Sequence, residues 1–180
     1  MDKLPPLCDL TPEDLGPIVA TVDLWLCHWA WPFLPDGHSQ DRKVALHSHD
    51  LPQEGALILA SAQDPVFHIA MPRGWRGREA EAAVNHEFAH AICFDLFPDL
   101  MFGDLNVDRA EAAALVIEML APSTFPAHAD CRGPCTSGYY PARWHVFPLP
   151  QQGIAAAALR AGRSDYVNLL QDILEGRYGG

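Results

Sequence analysis

Gly77-Arg-Glu-Ala-Glu-Ala-Ala-Val-Asn-His-Glu-Phe-Ala-His-Ala-Ile92 reads as one continuous helix. It is rich in Ala and Glu, contains no Pro, and sets Ala80, Val84, Phe88, Ala91 and Ile92 at helical spacing. Pro98 closes the segment after the Asp95-Leu96-Phe97 exit. Within it, His86-Glu87-Phe88-Ala89-His90 forms an H-E-x-x-H motif. Residues four apart lie about one turn from each other on the same helix face, so both imidazoles can bind one metal ion. Zn²⁺ suits such nitrogens, and Glu87 beside the pair can take a proton from the attacking water. The plain alternative is a helix with two surface histidines and a glutamate, and the surrounding sequence must separate the two. A catalytic zinc usually holds three protein ligands, so a third has to be found.

The next helical pattern offers it. Asn106 can cap a helix through Val107 to Leu120 that stops before Pro122, with an apolar stripe of Ala112, Leu115, Val116, Met119 and Leu120. Glu111 lies one turn from that stripe, where a helix packed against the first can aim a carboxylate at the histidines. Asp108 and Glu118 compete. Asp108 sits in the first turn, where the helix dipole already accounts for an acid, and Glu118 lies two turns beyond Glu111. Glu111 is therefore preferred.

With these residues in hand, the sequence resembles the ImmA/IrrE metallopeptidases, an H-E-x-x-H zincin family. There the motif helix is followed by a helix reading roughly E-A-x-x-F-A-x-x-L-L-x-P, to which Glu111-Ala112 and Ala114 to Pro122 are similar. Leu115 stands for the usual aromatic, Val116 for the usual Ala and Met119 for one Leu. The resemblance covers about residues 55 to 122 and implies that His86, His90 and Glu111 are zinc ligands and Glu87 the general base. It also implies limited proteolysis of a regulatory protein, such as a helix-turn-helix repressor.

Upstream of the motif, Gly16-Pro17 can open a helix whose Ile18, Val19, Val22, Trp25, Leu26 and Trp29 form an apolar face, ending near Pro32. Val44 to His49, Ala56 to Ala62 and Val66 to Met71 read as strands, the last two joined as a hairpin across Gln63-Asp64-Pro65. His47, His49 and His68 fall on these strands and read as satisfied or solvated side chains, with His47 and His49 on one face. An N-terminal helix, a short mixed sheet, the motif helix, the ligand helix and C-terminal helices make a small zincin-like α+β domain. An edge strand of such a sheet can receive an extended peptide, and the strand near Val66 to Met71 is expected to border the cleft.

Residues 123 to 150 hold several Pro and Gly and read as a long ordered loop beside the site. Its Tyr139, Tyr140, Arg143 and His145 are all candidates for the donor that stabilises a tetrahedral intermediate, and the sequence does not choose among them. Ile154 to Leu159 and Tyr166 to Leu174 read as two short helices, the second capped by Ser164 and ended by Gly176.

A chain of 180 residues with 49% hydrophobic side chains can bury one sizeable core, so residues 1 to 180 read as one domain. No apolar run has membrane-spanning length and the Met1-Asp-Lys start lacks a secretory core, which points to the cytoplasm. The net charge of -11 opposes non-specific nucleic-acid binding. Arg73, Arg76 and Arg78 form the one tight basic cluster, read as a solvated turn or a docking edge for an acidic segment. Cysteines at 8, 27, 93, 131 and 135 are odd in number and do not make a disulfide framework. Cys131-Arg-Gly-Pro-Cys135, with His128 and Asp130 upstream, reads as a plain loop, with a second metal or a small disulfide as the alternatives.

Two function classes follow. The first is a zinc-dependent endopeptidase acting on a protein or peptide, with Glu87 moving the proton. The second keeps the zincin fold as a binding or antirepressor module without turnover, for which an intact Glu87 has no use.

Overall fold

The computed structural model describes residues 8–9, 43–50, 55–64, 66–74, 77–124 and 146–179. The expected N-terminal helix and residues 125–145 of the expected loop lie outside them. The described architecture is α+β, as the sequence pattern implies. Strands β1 (Cys8–Asp9), β2 (Lys43–His49), β3 (Leu57–Leu59) and β4 (Val66–Pro72) form one mixed sheet in the order β1-β2-β4-β3. β2 runs parallel to β4, while β3 pairs antiparallel with β4 and β1 antiparallel with β2.

Alternation along β4 buries Phe67, Ile69 and Met71. Register sets Leu46 and Ile58 on either side of Ile69, and this row packs against the helices.

Two strand expectations change. β3 ends at Leu59 rather than reaching Ala62, because the turn claims the backbone beyond it. Ser61 Oγ accepts from Gln63 N at 3.3 Å and Asp64 Oδ1 from Val66 N at 2.9 Å, local bonds that replace a strand ladder. β4, expected as the edge, is interior to the sheet because β2 occupies its other side. The edge of the hairpin is β3.

The helices are α1 (Gly77–Leu96), α2 (Pro98–Met101), α3 (Val107–Thr124), α4 (Leu149–Arg160) and α5 (Tyr166–Leu174). Phe97 leaves helical geometry before Pro98, which then occupies the first turn of α2. Asn106 caps α3, its Oδ1 accepting from Arg109 N at 3.1 Å. α3 does not stop before Pro122 but runs to Thr124. Pro122 removes one backbone donor near the end of the helix, which closes two residues later. α4 begins at Leu149, ahead of the expected Ile154, because Pro150 in its first turn is pre-set for a helix and Gly153 is accommodated inside it.

α3 is the spine of the core. Ala112 through Glu118 are all buried, and the helix packs against α1, α4 and α5. Its alanines let those neighbours approach, while Leu115, Val116 and Ile117 fill the space between them. Each such aliphatic side chain contributes about 1.5–3 kcal/mol by burial.

α5 is capped by Asp165 rather than Ser164: the carboxylate accepts from Asn168 N at 3.1 Å, and its charge favours the helix N-terminus. At the other end Arg177 N bonds to Asp172 O at 2.8 Å and Gly176 N to Ile173 O at 3.0 Å, with Gly176 at φ 86°. That left-handed conformation is what favours glycine, while the Arg109 guanidinium from α3, which lies over the Cα, is the end of a flexible side chain. Buried Asp172 is held by Arg163 and, at 2.7 Å, by Arg177. No described helix is long and apolar enough to cross a membrane.

Candidate metal centre

His86 and His90 project from one face of α1 with ring centroids 4.8 Å apart and planes nearly perpendicular. α3 packs across that face and brings Glu111 to both. Glu111 Oε2 lies 2.9 Å from His86 Nε2, and Oε1 lies 3.3 Å from His90 Nε2. The three residues offer ligand atoms within 4.8 Å of one another and could hold a metal ion. Tetrahedral zinc with bonds of about 2.0–2.2 Å sets its ligand atoms about 3.3–3.6 Å apart, so the two Glu111 contacts lie near that spacing, and a donor set of two imidazoles and a carboxylate suits the ion.

Burial alone would push the His86 imidazole down, but the Glu118 charge and hydrogen bonds donated to Glu111 and Glu118 outweigh it and raise its pKa to about 10. Burial likewise favours the neutral form of Glu111, yet hydrogen bonds from the two imidazoles hold its carboxyl well below the usual range. Without an ion, the two carboxylates that flank His86 favour its protonated form. Glu87, 8% exposed, faces the same cleft, and burial raises its pKa above that of an ordinary glutamate. A raised carboxyl pKa suits a group that must accept a proton and give it back.

Glu118 plays a part the sequence did not reveal. Its Oε2 lies 3.2 Å from His86 Nδ1, on the opposite side of the ring from Glu111. That arrangement fixes the Nδ1–H tautomer, turns Nε2 toward Glu111 and raises the basicity of the ring. Glu118 is 2% exposed, and its Oε1 has no hydrogen-bond partner among the described residues. The signal for it was its place two turns after Glu111 on the same helix. Phe147 was also missed: its ring lies 5.3 Å from that of His86 and covers it. Asp108, the other competing carboxylate, accepts instead from Gln151 Nε2 at 3.1 Å and ties α3 to α4.

A cleft of about 460 Å³ opens over the ligands. Ala56, Leu57 and Ile58 of the β3 edge form one wall, and residues of α1, α2 and α3 the other. The expectation that β4 borders the cleft as an edge is thus corrected to β3. Of the basic cluster, Arg73 makes a two-pronged ion pair with Asp50 at 2.6 and 3.0 Å, while Arg76 and the Arg78 side chain lie outside the described residues. Tyr139, Tyr140, Arg143, His145, Cys131 and Cys135 lie outside them too.

The strand histidines are satisfied. His47 Nε2 meets His68 Nδ1 at 2.8 Å, His68 Nε2 meets Asp64 Oδ2 at 3.3 Å, and buried His49 donates from Nε2 to Gly55 O at 2.8 Å.

No protein-family model matches this chain, and neither the curated proteins nor the solved structures include a match. His86, His90 and Glu111 converge on one point, with the Glu118 carboxylate behind His86.

Proposed function

We propose that the protein is a zinc-dependent endopeptidase. The observation that carries this reading is the meeting of two Nε2 atoms and the Glu111 carboxylate beside a buried Glu87 in an open cleft. Zinc, when bound, supplies a Lewis acid that polarises the scissile carbonyl and acidifies the attacking water. His86, His90 and Glu111 hold the ion, and Glu118 keeps the His86 ring in the coordinating tautomer. Glu87 accepts the proton of the water as the new C–O bond forms. It then delivers that proton to the amide nitrogen as the C–N bond breaks, which returns the carboxylate to its starting state. The β3 edge beside the ligands supports an extended peptide as substrate, since unpaired strand groups can pair with a backbone. Limited cleavage of a regulatory protein, such as a helix-turn-helix repressor, rests on the sequence resemblance at residues 86–90 and 111–122.

Glu87→Gln tests the reading. The substitution fills the same space but cannot accept the proton, so the rate falls by about 10²–10⁴ while metal content and fold persist. New protein termini after expression of the wild type beside Glu87→Gln identify the substrate. Cuts in one transcriptional regulator support the regulatory reading, and broad cutting of unfolded chains replaces it with general proteolysis. Equal relief of repression by both proteins without a cut favours a module acting by contact.

A further inference from the structure

A second basin, of about 480 Å³, lies between the first turn of α3, the first half of α4 and the segment after α5, and it shares no lining residue with the metal cleft. That volume falls in the range of small-molecule sites. Among the described lining residues Arg109 carries the one positive charge. Arg73, Arg163 and Arg177 each hold a carboxylate, whereas no described residue forms an ion pair with the half-buried Arg109. Its guanidinium lies over Gly176, so packing at the end of α5 seats it and its donors stay unspent. The sides of the basin are apolar: Pro150, Ile154 and Tyr178 line it, and the last two pack against the core. Gly153 adds room. A glycine inside a helix is less favourable than the alanines that α4 uses at 155–158, yet a Cβ at Gly153 would meet nothing within 4 Å. No packing contact demands that glycine, and its bare backbone widens the basin.

We infer that this basin binds a small carboxylate with an apolar body. The inference is independent of the metal centre and of the peptidase reading. A planar carboxylate accepts two parallel N–H bonds from a guanidinium fork, and its apolar body leaves water for Pro150, Ile154 and Tyr178. Charge narrows the class. Asp108 lines the same basin, its Oδ1 accepting from Gln151, and the chain carries a net charge of -11. Both repel a phosphate dianion more than a carboxylate monoanion. The second Asp108 oxygen can accept from an ammonium, so the two sources of this chemistry, a simple acid and an α-amino acid, differ by one contact.

Titration of the isotope-labelled full-length protein with hydrocinnamate, followed through amide chemical shifts, reads the site. Saturable shifts should gather at Arg109, Gly153 and Gly179, with a dissociation constant of about 1 mM or tighter. They should persist when a chelator strips any metal, which separates the basin from the metal centre. Hydrocinnamyl alcohol, which lacks the charge, and inorganic phosphate, which lacks the apolar body, should each bind about tenfold or more weakly than the acid. Arg109→Gln should weaken the acid by about tenfold or more, and Arg109→Lys, which keeps the charge without the fork, by less. Gly153→Leu should abolish saturation while Tm holds or rises, because leucine fills the basin and is the better helix former. L-Phenylalanine separates the sources: tighter binding than hydrocinnamate assigns an α-amino acid with its ammonium on Asp108, and weaker binding assigns a simple acid. Shifts that do not saturate, that survive both Arg109→Gln and Gly153→Leu, or that phosphate or the alcohol reproduces at equal concentration overturn the inference.

Discussion

Two clusters in this molecule combine histidines with carboxylates, and they end differently. On the sheet, Asp64, His68 and His47 form a chain in which each group meets the next, so the lone pairs are spent on one another. Between α1 and α3, His86 and His90 both aim Nε2 at the single Glu111 carboxylate, and a second carboxylate waits behind His86. Composition does not separate them; convergence does. A chain of hydrogen bonds has no common point for an ion, whereas two helices crossing at fixed register create one.

The largest effect that separates the clusters is stoichiometry. Wild type should carry about one zinc per chain, His86→Ala should carry none after dialysis, and Glu111→Gln should lose most of it, as elemental analysis reads. Zinc retained by His86→Ala would dissolve the distinction. Next in size, Glu118→Gln should weaken zinc by about 10–100-fold in a chelator competition, since the imidazole loses its charged anchor while keeping its shape. Unchanged affinity would reduce Glu118 to a packing residue.

pH sharpens the comparison further. The metal-free His86 carries a pKa raised from 6.5 to about 10, so its proton must leave before Nε2 can coordinate. Zinc affinity should therefore rise by about tenfold per pH unit between pH 7 and 9, with a proton released on binding that calorimetry in buffers of different ionisation enthalpy counts. The same shift gives the metal-free fold a sign. A raised pKa contributes stability that is complete below pH 6.5 and is lost as pH climbs through about 10, so the metal-free protein should melt lower at alkaline pH. The smallest effect belongs to the sheet. His68→Asn should leave zinc unchanged and move Tm by a few degrees at most, because its partner Asp64 is 43% exposed and water replaces the contact.

Much of this was legible because it was local. The Ala- and Glu-rich run around His86 announces its helix, Asn106 announces the next, and helical spacing selects Glu111. What stayed hidden depended on distant contacts. β3 and β4 are joined by a short turn, so their pairing is visible, but the parallel approach of β2 that turns β4 into an interior strand has no local mark. Glu118 could be placed on a face of α3, yet its role depends on how α3 is rotated against α1. Ser164 and Asp165 are adjacent and equally good caps by type, and the tertiary position of α5 decides between them.

α3 holds both Glu111 and Glu118 and is enclosed by its neighbours from Ala112 to Glu118. The ligand carrier is thus the innermost part of a cooperative unit, far from any strap that opens and closes locally. An ion bound there recognises only a chain whose core is assembled. At a hundred times its dissociation constant it raises the opening free energy of that whole unit by about 2.7 kcal/mol. Amide hydrogens in α5, a helix that supplies no ligand, would then exchange with solvent about a hundredfold more slowly: a bound metal would act as a lock on the entire core.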